Sequence, residues 1–121
     1  MSGGRIVPHV ACLPVLLLTT TGRRTGRRRT VPLGYFEDGS TPVLIASKGG
    51  APRHPAWYLN LEAEPAVDVQ IGRDHRPMQA RRATADEAAA LWPRILAVAP
   101  RYERFRAKTT REIPLVLLEP R

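Results

Sequence analysis

Five arginines fall within seven residues of this 121-residue chain: Arg23, Arg24, Arg27, Arg28 and Arg29, interrupted only by Thr25 and Gly26. A guanidinium grips phosphate or carboxylate through paired N–H groups. Gly22 and Gly26 permit a tight turn and close backbone approach, and exposed amides in such a loop point at anions. Apolar segments precede and follow the run. It therefore reads as a loop between two strands that grips a polyanionic small molecule or a phosphate backbone. Lys48, followed by Gly49 and Gly50, is a second place where a cation and approachable amides coincide. His9, His54 and His75 share no metal-ligand spacing, so no metal centre is expected. His54, between Arg53 and Pro55, reads as an exposed loop residue, and His9 and His75 as surface. Cys12 stands alone, which excludes an internal disulfide and a cysteine-rich zinc site. It reads as inert.

The charge balance agrees with an anionic partner. Nineteen basic residues against eleven acidic ones give a net charge of +8. Such a charge fits nucleic acid, acidic lipid or an anionic cofactor, and does not choose among them. Nucleic acid is disfavoured because no aromatic residues interleave the arginine run, as a stacking platform requires. No stretch approaches the length needed to span a bilayer, which leaves peripheral membrane contact at most. The N-terminus lacks the continuous apolar run of a signal peptide, and the chain reads as cytoplasmic and reduced.

The elements that must position these residues are legible in outline. Residues 1–13 read as a surface segment, and 14–121 as a single domain. Strands are expected over Pro14–Thr20, Thr30–Phe36 and Val43–Ser47, the last two joined by an Asp38-Gly39 turn. A Gly- and Pro-dense loop over 48–55 leads to a short helix over Ala56–Ala63. Residues 66–71 alternate apolar and polar, and a weaker strand follows over Pro77–Ala83. Thr84 and Glu87 form a capping box that opens a helix with Leu91, Trp92, Ile95 and Leu96 at helical spacing. Pro93 is expected to kink it. Pro100 starts a shorter helix carrying Tyr102 and Phe105, and Pro114–Leu118 is a final strand. Strands grouped ahead of helices point to an α+β fold with an antiparallel sheet or small barrel.

Three blocks carry a resemblance: TTTGRRTGRRRTVPL over 19–33, ASKGGAPRHPAWYLNL over 46–61, and TREIPLVLLEP over 110–120. Together they resemble the deazaflavin (coenzyme F-420)-dependent nitroreductase family of actinobacterial oxidoreductases, in that family's order and spacing. The resemblance implies a split β-barrel, related to the FMN-binding barrels, with helices packed around mostly antiparallel strands. It implies 8-hydroxy-5-deazaflavin as cofactor, with FMN as the alternative. A phosphodiester and an oligoglutamate tail would be the anion that the arginines await. Arg23, Arg24 and Arg29 match the tail-binding positions, and Thr25 a hydroxyl donor on the same loop. Thr30, Val31, Pro32 and Leu33 match the strand that lies along the coenzyme. Ile45, Ala46, Ser47, Lys48, Gly49 and Gly50 match the strand end and turn beside it. Ala56, Trp57, Tyr58, Leu59 and Asn60 match the helix that closes the pocket, with Tyr58 mainly structural.

The implied reaction is hydride transfer to an electron-poor organic substrate, whether quinone, enone or nitro compound. Its proton would come from Tyr102, Ser47 or water, and Tyr102 alternatively packs the core. The nitroimidazole-reducing member carries a row of tyrosines on its late helix. Here that row is Ala99, Tyr102 and Phe105, which suits a flat apolar substrate better than a polar nitro group. A protein that binds deazaflavin or FMN without turnover is the second reading, and a small basic nucleic-acid-binding protein the least favoured. A homodimer is expected by analogy with the family and because a small barrel leaves edges to cover.

Overall fold

The computed structural model describes residues 9–10, 13–109 and 111–121. Its strands are β1 (His9–Val10), β2 (Leu13–Thr21), β3 (Arg28–Asp38), β4 (Thr41–Ile45), β5 (Ala66–Ile71), β6 (Asp74–Arg82) and β7 (Leu115–Pro120). Its helices are α1 (Ala56–Ala63), α2 (Ala85–Val98) and α3 (Arg101–Lys108). The antiparallel order β1-β2-β3-β4-β7-β6-β5 closes through a β2–β5 pairing into a six-stranded barrel, with β1 added at the start of β2. This is the α+β split barrel that the sequence implies. The expectations for His9 as surface and Cys12 as inert lie outside the described side chains.

Strand periodicity divides the apolar residues into two cores. Leu16 and Leu18 of β2, Tyr35 of β3, Leu44 of β4, Val67 and Val69 of β5, and Val116 and Leu118 of β7 fill the barrel, with Tyr58 and Leu61 of α1 closing it. The alternate residues Val43, Ile45, Leu115 and Leu117 face outward and are covered by Leu91 and Ile95 of α2, by Ala99 just after it, and by Tyr102 of α3. Both faces of the β4–β7 pair are therefore buried. That explains the continuous apolar runs in these strands.

β3 is longer than the sequence pattern suggests, because its partner changes along its length. Residues 28–34 pair with β2, whereas Tyr35–Asp38 pair with β4. Among the described residues no strand pairs with the second edge of 28–34. Continuing the β3–β4 register would place Ser47 across from Pro32. Instead β4 ends at Ile45, Ala46 stays bonded to Pro114 of the β7 side, and Lys48–Gly50 form a 3-10 turn. The barrel is split at this point. The expected strand over Val43–Ser47 is thus two residues too long. Pro32 fits because a proline is tolerated where a strand edge has no partner.

α2 begins as expected: the Thr84 hydroxyl accepts the Glu87 N–H, and the Glu87 carboxylate accepts the Thr84 N–H. The helix continues through Pro93 rather than ending there. Pro93 and Ala89 are exposed, so water can satisfy the Ala89 carbonyl that proline leaves without a donor.

Arg81 clasps the Glu87 carboxylate with two bonds of 2.8 Å. Those bonds, followed by the Thr84 N–H, lower the Glu87 pKa from 4.5 to about 2. A depressed carboxylate contributes stability above its unfolded pKa and loses it as pH falls through the folded value. Urea unfolding should therefore show stability falling between pH 4.5 and about 2, with a shallower fall for Glu87→Gln. Identical slopes would show that the capping box is not coupled to folding.

Candidate cofactor-binding site

The arginine hairpin is built from its own backbone. Gly22 donates to Arg27 O (2.7 Å) and Gly26 to Gly22 O (2.8 Å), with Gly26 at φ +72°. The Arg27 N–H bonds Thr25 Oγ1 (3.2 Å), and the Arg23 N–H bonds Asn60 Oδ1 (3.2 Å). Four loop amides are therefore already occupied, and the hairpin offers anions mainly its side chains. This corrects the expectation of an amide nest. Thr25, having accepted a bond, still has its own hydroxyl proton to give.

The five arginines have separate tasks. Arg28 pairs with Asp68 on the outer barrel face, where Arg121 meets the same carboxylate. Arg23 donates Nη1 to Asn60 Oδ1 (3.1 Å), a neutral acceptor that leaves its charge uncompensated. Among the described residues, Arg24, Arg27 and Arg29 make no ion pair. Arg29 lies opposite Thr20 in the β2–β3 register, on the same face of β3 as Val31 and Leu33. Thr30 lies on the other face, its hydroxyl bonded to Thr19 (2.7 Å).

Asn60, matched to the coenzyme by sequence, is 6% exposed. It accepts both Arg23 bonds and donates Nδ2 to Thr20 Oγ1 (3.3 Å), so its amide joins α1, β2 and the hairpin. Tyr58 is buried and donates its hydroxyl to Glu62 (3.0 Å). Trp57 and Leu59 are half-buried and pack on the barrel core together with Val31, Leu33 and Ile71. Ala56 is exposed at the start of α1. Val31 and Leu33 stand on the barrel-lining face and still keep partial exposure, because no strand among the described residues covers their side of β3. The split is therefore an apolar cleft with free guanidiniums at its hairpin end.

The opposite side of the split is Ser47–Gly50. Ser47 is 7% exposed, and among the described residues its hydroxyl has no partner. Lys48 is exposed and adopts φ +47°, a conformation costly for a side-chain-bearing residue. Gly50 at φ +82° lies where a Cβ would stand 2.8 Å from Phe105 O, so the turn is wedged against α3. Ile45 and Ala46 are buried, Ile45 in the helix-covered core and Ala46 in the barrel. They bear on the cleft by carrying Ser47.

One expectation changes here. His54 is not an exposed loop residue: its ring packs on Tyr58 at 4.9 Å between centroids, and Nδ1 accepts from Arg111 Nη1 (3.2 Å). Arg111 also donates to the carbonyls of Ala46 (3.2 Å), Ser47 (2.8 Å) and Ala51 (2.9 Å). Sequence reasoning passed over Arg111 because an isolated arginine carries no local pattern. Its presence in the third resemblance block was the available signal. Tyr102, for its part, lies in the helix-covered core against Phe105 (5.3 Å), and burial raises its pKa.

A model of the F420H(2)-dependent quinone reductase family matches residues 1–120. The chain belongs to that family. It is 40% identical over 111 residues to the F420H(2)-dependent quinone reductase Rv1261c of Mycobacterium tuberculosis, covering 89% of this chain and 74% of that protein. It is 38% identical over 109 residues to Rv3178 of the same organism, covering 90% and 92%. The solved structure of an F420-H2 dependent reductase, FDR-A, superposes with a TM-score of 0.79 at 39% identity, covering 88% of this chain and 94% of that one. Membership makes this chain an oxidoreductase whose cofactor is the deazaflavin coenzyme. The residues present fit that group: free guanidiniums and a free hydroxyl suit its anionic tail, and the half-buried Val31, Leu33 and Trp57 suit a flat ring. Among the described residues no helix is long and apolar enough to cross a membrane, and no cluster could hold a metal ion.

The Gly50 wedge yields a stability comparison. Gly39, also at positive φ, has nothing within 4 Å of an added Cβ. Gly39→Ala should cost about 1–2 kcal/mol, the left-handed penalty alone. Gly50→Ala should cost clearly more in the same urea titration, because the methyl also meets the Phe105 carbonyl. Equal losses would show that the turn is not held against α3.

Proposed function

We propose that the chain reduces quinones, using the split between β3 and the Ser47–Gly50 turn as its cofactor cleft. The observation that carries this reading is the edge of β3 over 28–34, which pairs with no strand among the described residues. It joins half-buried Val31 and Leu33 to Arg29 on one face, with Arg24 and Arg27 on the adjoining hairpin. When bound there, the deazaflavin supplies a hydride and does not need to pass single electrons. The chain's residues bind and orient. Arg23, Arg24 and Arg29 hold the tail, with Thr25 as a hydroxyl donor. Val31, Leu33, Trp57 and Leu59 form an apolar wall that excludes water. Asn60 and Tyr58 act behind that wall, fixing Arg23 and packing α1.

Reduction of a quinone to a hydroquinone needs one proton for each hydride. Ser47, at the start of the turn beside the split, is the residue we assign to donate a hydrogen bond to the oxygen that gains charge, with water as the proton source. The packing of Tyr102 against Phe105 favours its structural role over the acid role. A homodimer is supported by the exposed Leu17 on the outer face of β2 and by a solved relative described as a domain-swapped dimer, 39% identical with a TM-score of 0.79. The cytoplasm, where anionic cofactors are retained, is the compartment we assign.

Fluorescence titration with the deazaflavin coenzyme should show affinity that falls as salt rises, since exposed charge pairs are screened. Arg24→Ala and Arg29→Ala should each weaken binding by about one to two decades with the fold intact. Equal affinity for a tail-less deazaflavin would remove the arginines from the account. In stopped-flow oxidation of the reduced coenzyme by menadione, Ser47→Ala should slow turnover by about 10-fold or more. Tyr102→Phe should stay near the parent. The reverse order would restore Tyr102 as the acid. No oxidation by any quinone, with normal binding, would make the protein a cofactor carrier.

A further inference from the structure

Arg111 is half-buried and, among the described residues, has no carboxylate partner. Besides the adjacent Glu112 carbonyl, its bonds go to three backbone carbonyls and one imidazole nitrogen. Those carbonyls, of Ala46, Ser47 and Ala51, bracket the turn whose Lys48 and Gly50 sit at positive φ. A left-handed, non-glycine residue persists only where its surroundings over-determine it. Two devices do so here. Phe105 wedges Gly50 from one side, and the Arg111 guanidinium ties both ends of the turn from the other.

The remaining contact sets a condition on His54. A guanidinium has donors only, so Nδ1 must be an unprotonated acceptor and the ring neutral, with its proton on Nε2. Protonation would replace a 3.2 Å hydrogen bond with two apposed cations. The groups facing His54 come from three elements. Arg111 precedes β7. Tyr58 and Glu62 belong to α1. Arg82 of β6 faces it too, itself paired with Glu112. Glu62 favours the charged ring, while Arg111 and Arg82 oppose it.

We infer that Arg111 and neutral His54 form a clamp that holds the Ser47–Gly50 turn in its cofactor-binding shape, making both of them positioning residues for the reductase. The inference rests on the reading of Ser47 and Lys48 as one wall of the cofactor cleft. Burial, then Arg111, lowers the His54 pKa below its ordinary value of 6.5. The clamp's contribution is therefore complete above 6.5 and is lost as pH falls through the lower folded value.

Two measurements on the full chain test this. The first is amide hydrogen exchange of Gly50 and Ala51 without cofactor, whose N–H groups bond Ser47 O (2.9 Å) and Lys48 O (3.1 Å). The second is deazaflavin titration at matched pH, read as the ratio of variant to parent so that the ligand's own ionisation cancels. Arg111→Lys, which keeps the charge but cannot span the four acceptors, should lose protection at both amides and bind about 10-fold more weakly. His54→Gln, whose amide oxygen can accept the Arg111 bond without titrating, should match the parent at about pH 7.5. It should bind several-fold more tightly than the parent at about pH 5. Unchanged protection in Arg111→Lys overturns the clamp, whatever cofactor binding does. Lost protection with parental affinity overturns its positioning role. A constant His54→Gln to parent ratio across pH overturns the requirement for neutral His54. Lys48→Ala serves as the control for the underlying reading: if it binds like the parent, the turn is not a cofactor wall, while the exchange data still report on the clamp.

Discussion

Everything in the proposed site depends on β3 changing partners halfway along its length. From Arg28 to Gly34 it belongs to β2, and from Tyr35 to Asp38 it belongs to β4. β4 cannot follow it further, because Ala46 is bonded to Pro114 and the chain then turns at Lys48–Gly50. Among the described residues one stretch of strand edge is left open while its inward face still carries apolar residues. An open edge usually invites another strand. Here Pro32 and the neighbouring charge of Arg28 and Arg29 discourage that, and the same edge is left free for a flat ligand. The basic hairpin follows from the same geometry, because it joins the two strands that remain paired at this end of the barrel.

Polar joints hold the cleft's two walls apart from the rest of the fold. Asn60 joins α1 to Thr20 and Arg23, and Arg111 joins the segment before β7 to the turn after β4. Both use side chains that reach elements far away in sequence. Their polar side chains cost little to the core, since Asn60 and Arg111 are bonded to partners on the elements they join. They place charge and hydroxyl groups beside the split.

Local pattern made much of this legible. The capping box at Thr84, the alternation of 66–71, the α1 limits and the Asp38-Gly39 turn all depend on neighbours in sequence, and the structure reproduces them. What sequence could not show was set by distant partners. β3 extends beyond its apolar core because β2 supports its charged end. The occupied amides of the hairpin depend partly on Asn60, 37 residues away. His54 is a loop residue withdrawn from solvent because Arg111 and Tyr58 pack against it. Isolated polar residues whose roles depend on long-range contact have no sequence signature, and the resemblance could mark Asn60 as part of the site without saying that it faces the protein.

The central claim is that the unpaired edge of β3 is where the cofactor lies. Backbone amide chemical shifts and exchange rates, recorded with and without the deazaflavin coenzyme, test it most directly. The largest changes should fall on 28–34, on the 22–27 hairpin and on 47–50, while β6 and α2 stay as they were. Changes confined to α2 and α3, with β3 unaltered, would contradict it.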